Sequence, residues 1–276
     1  SVAFIGVRRD MWAEGTKLID GIADVAVEHG DRPLLFLNVP AWFAPKRPEY
    51  PVGHVGLTAL PGYVGLGRSV YIHRGIQPPL ESRGYYPDLN GWKYDFNTHG
   101  GPATIAEFGD LVRRVDDVYE VDMLADGAHV RLVGAVQPDR AAKDAGGPRF
   151  GPGLVLASER LTGDGRMLRG DFTWDVQKPV PGDYLPVLAV RDAGGRVVAA
   201  TTGYSLGGIA APYLWKAGDR VRDLPELALP AALPPGAYTV TLAWEERTTH
   251  QPLPGVAADG APLPPTGLVL GQFTAP

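Results

Sequence analysis

The stretch Tyr85 to Asn97, YYPDLNGWKYDFN, sets five aromatic rings among Asp88, Asn90, Lys93, Asp95 and Asn97. Flat aromatic faces suit stacking on sugar rings, and neighbouring carboxylates and amides can hydrogen-bond sugar hydroxyls. The residues of such a ligand site are Tyr85, Tyr86, Asp88, Asn90, Trp92, Tyr94 and Asp95. His54 (in VGHVG) and His99 (in NTHGG) sit in long loops that can converge on it. The competing role for these rings is to close a core or an interface, because aromatics dominate burial. Trp42, Phe43 and Tyr50 raise the same question: exposed together, they would face a membrane or a partner.

Other candidate chemistry fails on spacing. Asp116-Asp117 and Glu245-Glu246 are adjacent acids. Neighbours in a strand point to opposite faces, so neither pair can flank one scissile bond, and both suit solvated strand ends. No two of the six histidines lie within five residues of each other, and there is no cysteine. Metal-ligand spacing, disulfides and thiolate chemistry are therefore not expected. Gly203-Tyr-Ser-Leu-Gly207 matches the nucleophile elbow G-x-S-x-G, which needs a strand before it and a helix after it. Here Gly208-Ile-Ala-Ala-Pro212 follows, inside a strand-rich half. The expectation is no catalytic residue, no metal and no cofactor.

The elements that must position the aromatic loop fall into two textures. Asp10 to His29 repeats apolar residues at helical spacing and stops at Gly30-Asp-Arg-Pro33. Leu34 to Val39 is a continuous apolar run closed by Pro40, as in a buried strand. Ser69 to His73 reads as a second strand, and Ala41–Gly67 and Gly75–Gly101 as two long irregular stretches, of a length that is commonly functional. Pro102 to Val115 reads as a helix. Asp117–Leu124 and His129–Val136 read as a hairpin turned at Asp126-Gly127. Gln137 to Gly153 has the Gly and Pro content of a linker. Seven short strands follow: 154–158, 167–176, 184–191, 196–204, 219–229, 237–245 and 267–274. The architecture expected is α+β in two domains. A small α/β domain (1–136) and a linker (137–153) precede an immunoglobulin- or fibronectin-like antiparallel β-sandwich (154–276).

Composition agrees with a turn-rich folded chain. Among 276 residues there are 36 Gly and 27 Pro, yet 45% are hydrophobic, 21% charged, and the net charge is −5. Disorder needs fewer apolar residues and more net charge, and nothing forms the basic stripe that nucleic acid requires. No apolar run approaches a membrane span. The opening Ser1-Val-Ala-Phe-Ile suggests a piece of a longer chain or a mature form.

Two stretches carry a family resemblance. Arg191 to Glu246 contains D-x-x-G-R-V-V-A (Asp192, Gly195 to Ala199), W-x-x-G-D-x-V-x-D (Trp215, Gly218, Asp219, Val221, Asp223) and L-P-x-x-L-P-P-G-x-Y (Leu229 to Tyr238). It is similar to a β-sandwich at the C-terminus of large bacterial polytopic membrane proteins of glycosyltransferase type, which resemble dolichyl-phosphate-mannose-protein mannosyltransferases. Leu35 to Gly75 resembles the segment after their last membrane helix, where a Trp-containing helix (Trp12) leads into L-N-V-P (Leu37 to Pro40). One departure is Trp244-Glu-Glu-Arg-Thr-Thr, where the family has a Y-D-x-x-T-G turn. The resemblance implies an extracytoplasmic, non-catalytic region tethered to the membrane-embedded part of the same chain. Its partner would be a glycan or a lipid-linked sugar. No catalytic residue carries over, since the family's acids lie upstream. The competing classes are a secreted glycan-active hydrolase and a stand-alone carbohydrate-binding or adhesion module.

Overall fold

The computed structural model describes residues 2–46, 56–58, 60, 64–85, 94–124, 126–142, 146–201 and 203–275. The chain forms two compact units, 1–104 with 114–132, and 105–113 with 133–276. Strands predominate, in mixed and antiparallel sheets.

The first unit opens with helix α1 (Val2–His29) and strand β1 (Leu34–Leu37). Met11, Leu18, Ile22, Ala23 and Ala26 are buried along one face of α1, as their spacing requires, whereas Trp12 is exposed. Gly30 ends the helix in the left-handed region, where its N–H returns to Ala26 O. All four residues of β1 are fully buried. After it come β2 (Pro40–Pro45), β3 (Leu57–Thr58), helix α2 (Leu66–Arg74), β4 (Leu80–Arg83) and β5 (Tyr94–Thr98). Later in the chain β6 (Asp117–Leu124) joins the unit, and β7 (Gly127–Gln137) begins in it. β1 pairs in parallel with β4 on one side and with β6 on the other. β3, β2 and β5 form a separate three-stranded antiparallel sheet.

Two expectations are corrected here. Ser69 to His73 lies in α2 rather than in a strand. Leu66, Ser69 and Val70 are buried at i, i+3 and i+4, while Tyr71 and Ile72 are exposed. That spacing buries one helical face, and Gly75 at φ +73° closes the helix. The stretches 41–67 and 75–101 are not irregular throughout, since they contain β2 to β5. Long-range pairing organises them, and no local period announces it.

The second unit contains helix α3 (Ile105–Leu111) and the end of β7. Its first sheet adds β8 (Arg149–Phe150), β9 (Leu154–Gly163) and β10 (Met167–Val176). Its second sheet begins with β11 (Tyr184–Asp192) and β12 (Val197–Ala200). β13 (Arg220–Asp223) and β14 (Glu226–Ala228) return to the first sheet, β14 pairing with β10. They replace the single strand expected over 219–229, because Leu224-Pro225 interrupts the ladder. β15 (Gly236–Glu246) belongs to the second sheet, β16 (Gly255–Val256) pairs with β8, and β17 (Leu268–Ala275) closes the second sheet in the order β12-β11-β15-β17. Trp174 on β10 meets Trp244 on β15 edge to face at 5.1 Å between ring centroids, both fully buried. Phe150 and Trp215 extend this aromatic centre. Beyond α3, the Arg113 guanidinium grips the buried Asp219 carboxylate through both its oxygens.

Candidate functional site

β1 sends the chain to β4 on one side and to β6 on the other, so its carboxyl end is a point where strand order reverses. Ligands of open parallel sheets bind outside such points. In register, Leu37 sits beside Arg83 and Glu120. The next residue, Asn38, is fully buried and holds φ +59°, a conformation Asn tolerates better than most residues. Its Oδ1 accepts from the N–H of Tyr85 at 2.8 Å, and its Nδ2 donates to Glu120 Oε1 at 3.3 Å. Arg131 donates to Glu120 Oε2 at 2.7 Å and to Asp122 at 3.0 Å.

His99 joins this buried lattice. Its Nε2–H donates to the carbonyl of Val64 at 2.8 Å, which leaves Nδ1 to accept the Ser82 hydroxyl proton. Its backbone N–H donates to Val39 O at 2.7 Å. Gly100, at φ +79°, passes so near that a Cβ there would lie 1.8 Å from Ser82 O. Ser82, His99 and Glu120 are each at most 5% exposed. A serine hydroxyl on a neutral imidazole is half of a nucleophilic pair. Here the far ring nitrogen is committed to a backbone carbonyl, so the pair ties β4 to the end of β5.

The lattice fixes where β2 begins and β5 ends, and these strands carry the surface groups. Their register sets Trp42 opposite Asn97 and Ala44 opposite Asp95. Cross-strand partners share a face. The outer face therefore presents Trp42, Asn97 and Asp95 together, and Asp95 and Asn97 are exposed. Phe43, Tyr94 and Phe96 take the inner face, with Phe43 and Tyr94 buried against each other at 5.4 Å. Phe43 and Tyr94 are core, whereas Trp42 is half-buried at the surface. The backbone of Gly56 lies against the Trp42 indole, where a Cβ would fall 2.0 Å from the ring.

No protein-family model and no curated protein matches the chain.

Of the residues named from sequence, Tyr85, Tyr94, Asp95 and His99 are in this region. The structure brings Tyr85 to Asn38 and His99 to Ser82, buries Tyr94, and exposes Asp95. Tyr86, Asp88, Asn90, Trp92 and His54, with Tyr50, lie outside the described residues. Asn38, Ser82, Arg83, Glu120 and Arg131 were not anticipated as site residues. A buried apolar run ending in Asn-Val-Pro is the one local signal that pointed to Asn38.

The remaining motifs resolve otherwise. Asp116 and Asp117 do not point apart, because Asp116 precedes the strand, and both accept from Arg32 at 2.7 and 2.8 Å. Glu246 is drawn down to about 2, first by the Thr248 hydroxyl and then by the Thr249 backbone N–H. In the GYSLG stretch the Ser205 hydroxyl is buried and has no hydrogen-bond partner among the described residues. The N–H of Leu206, which would help form an oxyanion hole in a nucleophile elbow, donates to Asp223 at 2.9 Å instead. No helix follows in the required form, since Leu206 and Gly207 are both left-handed. Among the described residues, no three acidic, His or Cys side chains gather to hold a metal ion.

Proposed function

We propose that the chain is an extracytoplasmic, glycan-binding region of a polytopic membrane protein of glycosyltransferase type, and that it recognises its ligand without transforming it. The observation that carries this reading is the shared outer face of β2 and β5. There Trp42 offers an aromatic plane beside the Asn97 amide and the Asp95 carboxylate. Recognition is favoured over hydrolysis because the Ser82–His99 pair and Glu120 are buried and bound to protein partners. The membrane-embedded part of the same chain and a glycan or lipid-linked sugar are the partners that the resemblance implies. Among the described residues, no helix is long and apolar enough to cross a membrane. The second unit is read as an immunoglobulin-like sandwich, on the support of its two sheets meeting at Trp174 and Trp244.

A glycan array followed by calorimetric titration of the best oligosaccharide tests the site. Trp42→Ala is expected to weaken binding about tenfold, the scale of one aromatic contact. Asp95→Ala and Asn97→Ala should each weaken it by a smaller factor. A wild-type chain that binds no glycan, or a Trp42→Ala variant that binds as well as wild type, defeats the proposal.

A further inference from the structure

The second unit contains a cavity of about 570 Å³. That volume falls within the range of small-molecule sites. It opens between the two sheets, where both present uncovered strand. β17 is the last strand of its sheet, and β8 covers β9 only at Leu154 and Val155. Leu161 and Leu168 line one wall, Val240 and Phe273 the other, and Leu233 a third side. Among the described residues, no charged one lines it. The polar residues Thr162, Gln272 and Thr274 alternate along their strands with the wall residues Leu161 and Phe273. Alternation turns their side chains away from the space between the sheets.

One glycine stands where a filled sandwich would carry a side chain: among the described residues, a Cβ at Gly271 would meet nothing within 4 Å. Gly271 is not among the positive-φ glycines, so its backbone does not demand glycine. Close by, the ladder shifts register between Val240 and Thr241, leaving Leu270 without a partner across the sheet. Apolar walls opening to water without being filled are costly to keep, which marks such a patch as a binding surface.

We infer that this cavity takes an uncharged alkyl chain. The walls supply dispersion and desolvation, and no side chain directed between the sheets supplies charge, so affinity should follow chain length and not headgroup. The probe is diphenylhexatriene, whose fluorescence rises in apolar surroundings, added to the whole chain and displaced by n-alkanols. Displacement should tighten about tenfold for every two methylenes from hexanol to decanol. Gly271→Leu and, from another wall, Ala232→Phe should each weaken dye binding about tenfold or more. Gly271→Leu should leave the unfolding temperature unchanged or raised, since glycine weakens a strand. Trp42→Ala should leave alkanol binding unchanged, which separates this proposal from the glycan site. The inference is overturned if the wild type does not bind the dye or if both filled variants bind it as wild type does. Displacement by an extended apolar peptide but not by alkanols would overturn it too, by making the free β17 edge the receptor.

Discussion

Replacing Asn38 tests whether the buried lattice sets the geometry of the first unit. Asn38→Gly keeps the left-handed backbone at φ +59° but removes both side-chain bonds, to the Tyr85 N–H and to Glu120. Loss of the buried acceptor for the Tyr85 N–H costs about 1–3 kcal/mol, and the longer bond to Glu120 adds up to about 1 kcal/mol. Asn38→Ala carries the same losses plus the clash of a Cβ in the left-handed region, about 1–2 kcal/mol. Glycine's freer unfolded chain offsets about 0.4–1 kcal/mol of that difference. The expected order in urea unfolding is wild type, then Gly, then Ala. Glycine should be destabilised by about 2–4 kcal/mol and alanine by about 0.5–1 kcal/mol more. The glycan affinity of both variants should fall as well, because Asn38 sits two residues before β2. If Ala is as stable as Gly, the left-handed backbone is not enforced. If Gly matches wild type, the side-chain bonds contribute nothing. Either result refutes the reasoning.

Three further outcomes follow from the same structure. Asp219→Ala strands the partly buried Arg113 guanidinium and removes the acceptor for the Lys216 N–H, so stability should drop by about 3–5 kcal/mol in chemical denaturation. A drop under about 1 kcal/mol would mean that the pair is solvated. Ser205→Ala removes a buried hydroxyl that has no partner among the described residues, so the variant should be as stable as wild type or up to about 1 kcal/mol more stable. Any hydrolytic activity that disappears with it would revive the nucleophile-elbow reading. The Asp164 carboxyl is drawn from 3.8 to about 2, first by the N–H groups of Arg166 and Met167 and then by Arg169. Its folded value lies below its unfolded one, so its stabilising contribution is complete above about pH 4 and fades as pH falls through 2. A carboxyl NMR titration with its midpoint near 4 would contradict this, as would an Asp164→Asn variant with an unchanged acid limb.

Legibility differed with the kind of signal. The α1 helix and the buried β1 strand were readable because Met11, Leu18 and Ile22 repeat at the helical period and Leu34 to Leu37 form an unbroken apolar run. The hairpin strands flanking Asp126 were readable from alternation. Ser69 to His73 misled, because a short run with Val70 and Ile72 two apart imitates a strand. Its Gly65 and Gly75 boundaries and its i, i+3, i+4 burial belong to a helix. The ends of the second unit's strands were blurred by Pro225, which splits one expected element into two.

The candidate site shows the same division. Sequence by itself determined that aromatics and acids cluster between Tyr85 and Asn97, that no metal spacing exists, and that the turns outnumber what long helices would allow. Only the tertiary structure decided that Trp42 and Asn97 share a face, that Tyr94 faces inward, and that Asn38, Ser82, His99 and Glu120 meet behind them. The physical reason is register. Residues 42 and 97 lie far apart in sequence, and a slip of one position would turn every side chain of β5 to the other face. That pairing is set by the hydrogen bonds of the buried lattice and by the core packed under Phe43, which no local pattern in either strand encodes.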